Sequence, residues 1–259
     1  MVSAPAAPAA PAYSPITPEV AGMPLYRAVK RALLAAIESG VQAPGSTLPN
    51  EAALAQALGV SMGTLRHAVG ELVAEHILVR HQGRGTFVAT HHADRFLFQF
   101  FHVERSDGLR ESPQVELLTF AATRLDEDAA TALRRPVGDL GWQLENRLLL
   151  QGRPVVRDLI QLSAARFPQL SEAMLRERPG TIYQLYQASF GITVLRAVER
   201  ARAIAADHRT ASVLGLPARA PVLQVRRTAL SFGDTPVEYR VSSLHTAAHD
   251  YVQTLSRPS

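Results

Sequence analysis

The chain has 259 residues, 47% of them hydrophobic and 19% charged, so it can bury a sizeable core, and disorder of the whole chain is excluded. It contains no cysteine, which excludes disulfide scaffolds, thiolate metal sites and cysteine nucleophiles. The formal net charge of +4 permits nucleic-acid binding but does not establish it. No apolar run has the ~20 residues of a membrane span and no signal-peptide layout is present, so we expect a soluble, cytoplasmic protein without a membrane partner.

The composition changes along the chain in a way that predicts four parts. Residues 1–22 are rich in proline and alanine, and we expect them to form a disordered tail. Residues 23–90 are predicted to form a winged helix-turn-helix domain, and residues 91–95 a polar linker. Residues 96–259 are predicted to form a second, larger domain.

The smaller domain has the pattern of three helices followed by a hairpin. Apolar residues recur at helical spacing from Pro24 to the stop at Gly40, and Asn50 and Ser61 are of the types that cap helix N-termini. The period then changes to about two on either side of Gln82-Gly83-Arg84-Gly85, which predicts a hairpin. This order is typical of a winged helix-turn-helix, whose third helix enters the major groove of DNA.

Nine residues are candidates for DNA contact because they lie at helix caps, in the first turns of the third helix or at the hairpin tip. They are Asn50, Ser61, Met62, Gly63, Thr64, Arg66, His67, Arg84 and Gly85. Arg66 can pair with guanine through two hydrogen bonds, and Arg84 would reach the minor groove or the phosphates. The alternative is a protein-interaction domain with exposed arginines. Six basic and four acidic residues leave the domain at only +2, so tight DNA binding predicts a homodimer.

Two other patterns indicate no chemistry. Gly59-Val60-Ser61-Met62-Gly63 matches the G-x-S-x-G turn of hydrolases, but a helix precedes the serine where that chemistry needs a strand. His91 and His92 lie near Asp94 in the predicted linker, without the spacing that brings several ligands to one metal ion. We therefore expect no catalytic residues, no metal site and no cofactor.

The larger domain alternates strand-like and helix-like segments, which predicts a mostly antiparallel sheet with helices and an α+β class for the chain. Asp158 and Glu238 each follow a turn, Gly152-Arg153-Pro154 and Asp234-Thr235-Pro236, on strands that are otherwise rich in apolar residues. A carboxylate that faces a cavity on a sheet can bind a ligand hydroxyl or amine. A solvent-facing carboxylate or an ion pair with one of the many arginines fits the pattern equally well.

Two sets of short motifs are distinctive. The first set is Pro24-Leu25-Tyr26, Pro44-Gly45, Leu48-Pro49, Leu54-Ala55, Leu58-Gly59-Val60-Ser61, Thr64-Leu65-Arg66 and Gln82-Gly83-Arg84-Gly85-Thr86-Phe87-Val88. It resembles the DNA-binding domain of GntR-family repressors. The second set is Gly152-Arg153-Pro154, Phe167-Pro168-Gln169-Leu170, Thr181-Ile182-Tyr183, Leu214-Gly215-Leu216-Pro217, Pro221-Val222-Leu223 and Pro236-Val237-Glu238. It resembles the UTRA effector domain of the HutC-type subfamily, which implies an α/β domain that binds an effector and dimerises.

The chain departs from the family pattern in both domains. Ala52 and Met62 stand where the family usually has arginines, so the resemblance implies a changed operator or weaker binding to each half-site. Family members that sense phosphosugars carry an arginine-x-arginine at the positions of Asn146 and Leu148. A doubly charged phosphate needs such donors, so we expect a ligand other than a sugar phosphate, for which a small carboxylate or an amine-bearing metabolite fits.

The resemblance assigns seven residues to the effector pocket. They are Asn146, Leu148, Asp158, Thr181, Tyr183, Arg227 and Glu238. Together the observations predict a ligand-responsive, DNA-binding transcriptional regulator. It is expected to be a homodimeric repressor that a small metabolite releases from a palindromic operator in double-stranded DNA. The alternative is an enzyme domain fused to a DNA-binding head.

Overall fold

The computed structural model describes residues 13–16, 24–75, 77–89, 100–178 and 180–253. These residues form two compact units, and the division between the units falls between Thr90 and His91. The predicted linker at 91–95, with His91, His92 and Asp94, lies outside the described residues, as does most of the predicted N-terminal tail.

The first unit contains three helices and a hairpin: α1 (Leu25–Glu38), α2 (Glu51–Leu58), α3 (Met62–Ala74), β1 (Leu78–His81) and β2 (Gly85–Val88). Both predicted caps are confirmed, since Asn50 Oδ1 accepts from the backbone N–H of Ala52 and Ser61 Oγ accepts from that of Thr64. Gly59 ends α2 in the left-handed conformation at φ +66°, and this sharp reversal leads directly into α3.

The hairpin is joined to the helical part of the first unit through the segment before α2. Thr47 forms an antiparallel bridge with Phe87, and the backbone N–H of Leu48 donates to Thr86. The segment Tyr13–Ile16 differs from the disorder expected there, because the Ile16 N–H donates to the carbonyl of Leu58 at 2.9 Å. That carbonyl lies in the last turn of α2, where backbone acceptors lack a partner within the helix.

The second unit contains four helices and eight strands within its described residues: β3 (Val103–Arg105), β4 (Gln114–Arg124), α4 (Glu127–Leu133), β5 (Leu140–Leu150), β6 (Arg153–Ser163), α5 (Glu172–Glu177), α6 (Ile182–Phe190), β7 (Arg196–Ala205), α7 (His208–Leu214), β8 (Pro221–Leu230), β9 (Pro236–Leu244) and β10 (His249–Tyr251). Six strands form one antiparallel sheet in the order β4-β5-β6-β9-β8-β7, and β3 pairs with β10. The predicted α+β class, with a winged helix-turn-helix followed by a mostly antiparallel sheet, is confirmed.

The two faces of the large sheet are covered by different helices. On one face α6 buries Tyr183 and Tyr186 against sheet residues that include Leu144 and Ile160. On the other face α4 packs against Tyr239, and Arg209 of α7 binds the sheet residue Glu145. Because side chains alternate between faces along a strand, the residues that share a face with Leu144 and Ile160 point towards α6.

Candidate functional sites

The exposed surface of the first unit includes a groove of about 640 Å³ between α2, α3 and the hairpin. Five of the nine candidate DNA-contacting residues line it: Asn50, Met62, Arg66, Arg84 and Gly85. The other four, Ser61, Gly63, Thr64 and His67, lie at the N-terminal end of α3. The groove has an arginine on the helix side and an arginine on the hairpin side.

Candidate residues in the first turns of α3 already have partners inside the unit. Ser61 caps α3 and its hydroxyl is 2.9 Å from that of Thr64. The His67 ring lies 4.2 Å from the Tyr26 ring, and its Nε2 atom is 3.7 Å from the carboxylate of Glu71. These contacts orient the first turns of α3 while leaving Ser61 and His67 exposed.

The structure adds two residues that the sequence pattern did not single out, Glu51 and Arg80. Glu51 Oε2 accepts from Arg66 Nε at 2.8 Å, and its other oxygen is 3.7 Å from Arg80 Nη2. One carboxylate therefore contacts both an arginine of α3 and an arginine of the hairpin. At the hairpin tip, Gly83 and Gly85 adopt positive φ on either side of the exposed Arg84.

The second unit contains a cavity of about 210 Å³ between the α6-facing side of the sheet and the segment that leads into α6. Its lining residues are Ser112, Pro113, Val115, Asn146, Leu148, Asp158, Arg178, Gly180, Thr181, Ile182 and Arg240. Four of the seven candidate effector residues are among them: Asn146, Leu148, Asp158 and Thr181. Asn146 and Asp158 lie directly opposite each other on β5 and β6.

Tyr183 and Glu238 do not line the cavity, because both are fully buried beneath it. Glu238 accepts hydrogen bonds from the hydroxyls of Tyr183 at 3.0 Å and Tyr186 at 2.8 Å, and from Arg240 Nε at 2.9 Å. Burial, followed by the charge of Glu238, raises the pKa of Tyr183 well above its ordinary value and keeps the phenol protonated. These two residues support the cavity from below.

Arg240 connects the two carboxylates that the sequence pattern paired. Its Nη1 atom donates to Asp158 Oδ2 at 3.0 Å, while Nε and Nη2 donate to Glu238. The other oxygen of Asp158 accepts from Ser242 Oγ at 2.6 Å. Both carboxylates therefore belong to a buried ion pair, and Asp158 also lines the cavity.

Arg227, on β8, does not line this cavity. Its Nε atom donates to Glu199 and its Nη2 atom donates to the backbone carbonyl of Phe100. Tyr251 binds the same glutamate through its hydroxyl. Arg227 therefore links the backbone at Phe100 to Glu199 of β7, which also binds Tyr251 of β10.

Arg178 is one of seven cavity-lining residues that were not among the candidate effector residues. It stands in the segment between α5 and α6, and its Nη1 atom donates to the backbone carbonyl of Leu175. Burial lowers the pKa of Arg178, because a charged guanidinium is less stable away from water. No local signal marks Arg178, because its environment depends on how α6 packs against β5.

Thr181, which also lines the cavity, begins α6 through a capping box. Its hydroxyl accepts from the Gln184 N–H at 3.2 Å, and the Thr181 N–H donates to Gln184 Oε1 at 2.7 Å. The side chain of Thr181 therefore has a structural role as well as a place in the cavity wall.

Within the described ranges, no cluster of three or more histidine or acidic residues could hold a metal ion. No helix in that part of the chain is both long and apolar enough to cross a membrane.

Comparison with known proteins matches both units to family models. Residues 25–88 match bacterial regulatory proteins of the gntR family, and residues 109–250 match the UTRA domain. The histidine utilization repressor of Pseudomonas putida is 30% identical over 222 residues, which cover 83% of this chain and 85% of that protein. The HTH-type transcriptional repressor NagR of Bacillus subtilis is 26% identical over 240 residues, covering 92% and 97%.

Among solved structures, PhnF from Mycobacterium smegmatis has a TM-score of 0.51 at 25% identity, covering 88% of this chain and 99% of that chain. The resemblance drawn from the sequence is confirmed. The family and the named relatives are transcriptional regulators rather than enzymes, so the alternative of an enzyme domain on a DNA-binding head is wrong.

Proposed function

Because the chain belongs to the gntR family of bacterial regulatory proteins and carries a UTRA domain, we propose that it is a ligand-responsive transcriptional repressor. It binds a palindromic operator as a homodimer, and a small metabolite releases it. Residues 23–90 bind DNA, and residues 96–259 bind the effector and dimerise. It acts in the cytoplasm, where bacterial operator DNA lies.

The observation that carries the DNA-binding proposal is the groove between α3 and the hairpin. Arg66 and Arg84 line it from two elements, and the first turns of α3 are exposed beside it. An α3 side chain in the major groove can contact guanine, while the hairpin contacts phosphates or the minor groove. The named relatives are repressors, which supports repression for this chain.

Dimerisation is supported by the charge of the first unit. Six basic and four acidic residues within 23–90 neutralise few phosphates, so one copy on DNA gains little from counterion release. Two copies on one duplex double this contribution, and a twofold dimer matches a palindromic operator. We place the dimer contact in the second unit, which offers a six-stranded sheet.

The cavity in the second unit supports a small-molecule effector. Its wall contains the neutral Asn146 and the apolar Leu148 at the two positions where phosphosugar-sensing members have arginines. A doubly charged phosphate binds best to several arginine forks, so the effector is a metabolite other than a sugar phosphate. The effector lowers operator affinity if it binds more tightly to the conformation that binds the operator weakly. The shift is limited by the ratio of its affinities for the two conformations.

The test is fluorescence anisotropy of the full chain with the DNA upstream of its own gene, across a salt series. We expect a steep loss of affinity with salt and a preference over scrambled DNA of the same composition. The Arg66→Gln variant should reduce that preference, whereas Arg135→Gln, an exposed arginine of the second unit, is the control with the same charge change. Equal and weak binding to both DNAs would contradict the proposal.

A further inference from the structure

The cavity in the second unit contains two polar atoms without a hydrogen-bond partner. Four buried side-chain polar atoms lack a partner among the described residues, and two of them, Asn146 Oδ1 and Arg178 Nε, belong to residues that line this cavity. Asn146 is only 4% exposed. Since buried polar groups are nearly always hydrogen-bonded to protein or to water, these two atoms are positions at which a molecule in the cavity can complete the bonding.

The two cavity arginines differ in whether their guanidinium groups are already paired with carboxylates. Arg240 uses three of its nitrogen atoms on Asp158 and Glu238. Arg178 forms no ion pair with any carboxylate in the described part of the chain, and its known bond is to the neutral carbonyl of Leu175. A partly buried guanidinium without a counterion binds an anion more favourably than one that is already paired.

The sheet side of the cavity offers hydrogen-bond acceptors. Asn146 Oδ1 lacks a donor, and the carboxylate of Asp158 lies beside it on the neighbouring strand. Both acceptors suit an N–H or O–H group of a ligand. Val115, Leu148 and Ile182 also line the cavity and provide apolar contact.

The size and charge of the cavity limit the ligand further. A volume of about 210 Å³ lies below the roughly 300–1,000 Å³ of pockets for drug-sized ligands, so the ligand is a small metabolite. Arg178 carries one positive charge that no carboxylate in the described residues pairs with, which matches one negative charge on a ligand. The cavity therefore favours a single carboxylate over a doubly charged phosphate.

We propose, resting on the proposed function, that the effector is a small monocarboxylate with an N–H or O–H donor at its other end. Arg178 binds the carboxylate, Asn146 Oδ1 accepts from the donor, and the carbon chain between them contacts the apolar wall. Arg178 and Asn146 are then the residues that determine specificity for charge and for the donor, respectively.

The test uses the full chain and isothermal titration with a graded set of probes. The set contains the ω-hydroxy acids from 3-hydroxypropanoate to 6-hydroxyhexanoate, the acids of the same length without the hydroxyl, the ω-hydroxy amides, and glucosamine 6-phosphate. The probes differ in length so that one of them can span the distance between Arg178 and Asn146. We expect one hydroxy acid to bind more tightly than its amide, than its unsubstituted acid and than the sugar phosphate.

Two variants test the assigned roles with that hydroxy acid. Arg178→Gln should weaken its binding by about tenfold or more, the usual contribution of a hydrogen bond to a charged group. Arg166→Gln, an exposed arginine of the same unit, is the control and should change binding by less than about twofold. Asn146→Leu should abolish the preference for the hydroxy acid over the unsubstituted acid. Because this readout is a ratio within one variant, it does not depend on that variant's stability.

The proposal is overturned if no hydroxy acid binds, if the amide or the sugar phosphate binds as tightly, or if Arg178→Gln leaves binding unchanged. The same preparations are tested for specific DNA binding. A chain that binds operator DNA but none of the carboxylates contradicts the ligand class alone. A chain that fails to discriminate between DNAs contradicts the proposed function itself.

Discussion

Arg240 Nη1 donates to Asp158 Oδ2 at 3.0 Å, and this bond joins strands β9 and β6 beneath the cavity of the second unit. The same guanidinium binds Glu238 and lies 5.7 Å from the centre of the Tyr183 ring. One buried guanidinium thus pairs with two buried carboxylates. The floor of the cavity is therefore built in advance of any ligand, and Arg240 belongs to that floor.

Replacing Arg240 by methionine should destabilise the second unit strongly. Arg240→Met leaves Asp158 and Glu238 buried without a cation, and breaking such a pair costs about 3–5 kcal/mol. The free energy of unfolding is measured by urea denaturation at neutral pH. Arg166→Met removes an exposed arginine and should change it by less than ~0.5 kcal/mol. A loss below about 1 kcal/mol for Arg240→Met would mean that the ion pair contributes little.

Glu145 should make stability depend on pH, because it binds Arg209 of α7 and Arg157 of β6. The hydrogen bond from Arg209 lowers its pKa, burial opposes this, and Arg157 lowers the pKa further. A carboxyl with a lowered pKa in the folded state stabilises the protein above its unfolded pKa, near 4.5, and loses that effect as pH falls through the folded pKa.

The expected result is a difference in unfolding free energy between the wild type and Glu145→Gln that is full at neutral pH and shrinks below pH ~4.5. Urea denaturation across a pH series measures this difference. Arg209→Gln removes the hydrogen bond that contributes most to the lowered pKa of Glu145. The unfolding free energy of this variant should therefore depend less on pH in the same acidic range. If the difference for Glu145→Gln is the same at neutral pH and well below its pKa, the coupling is absent.

Most of the fold follows from local sequence patterns. Ser61, Asp126, Thr181 and Asp207 all cap helices as their residue types and positions suggest. The strands of the large sheet follow from their apolar alternation and from the turns between them. These features depend on residues within a few positions of one another, so a single sequence contains the information.

The elements that local patterns missed depend on distant parts of the chain. Strands β3 and β10 have three residues each and pair His249 with Arg105, too short a run to show a period. The role of Arg178 depends on a wall formed by β5, and that of Arg227 on the carbonyl of Phe100. Only four of the seven expected effector residues line the cavity. The match to family motifs gives the position of a residue along the chain but not how deep its side chain lies.

Gly180 should be needed for the capping box that begins α6. A Cβ atom there would lie 1.9 Å from Gln184 Oε1, the atom that accepts from the Thr181 N–H. Gly180→Ala should displace that flexible side chain and cost about 1 kcal/mol, the usual value of a lost cap. Thermal unfolding measures the loss. Gln184→Ala should cost about the same, and the double variant should cost no more than Gln184→Ala alone. Additive costs would show that the alanine acts through something other than the cap.

Glu51 should set how well the first unit distinguishes between DNA sequences. Glu51→Gln removes a negative charge beside the groove, so binding to scrambled DNA should tighten. In the wild type, Arg66 Nε donates to Glu51 at 2.8 Å, and the same change weakens this bond and loosens Arg66. The preference for operator DNA should therefore fall by about fivefold, or ~1 kcal/mol. Anisotropy with both DNAs at two salt concentrations measures each effect. Glu38→Gln makes the same charge change at the exposed end of α1 and should leave the preference intact. If both variants reduce it equally, net charge rather than the position of Arg66 determines specificity.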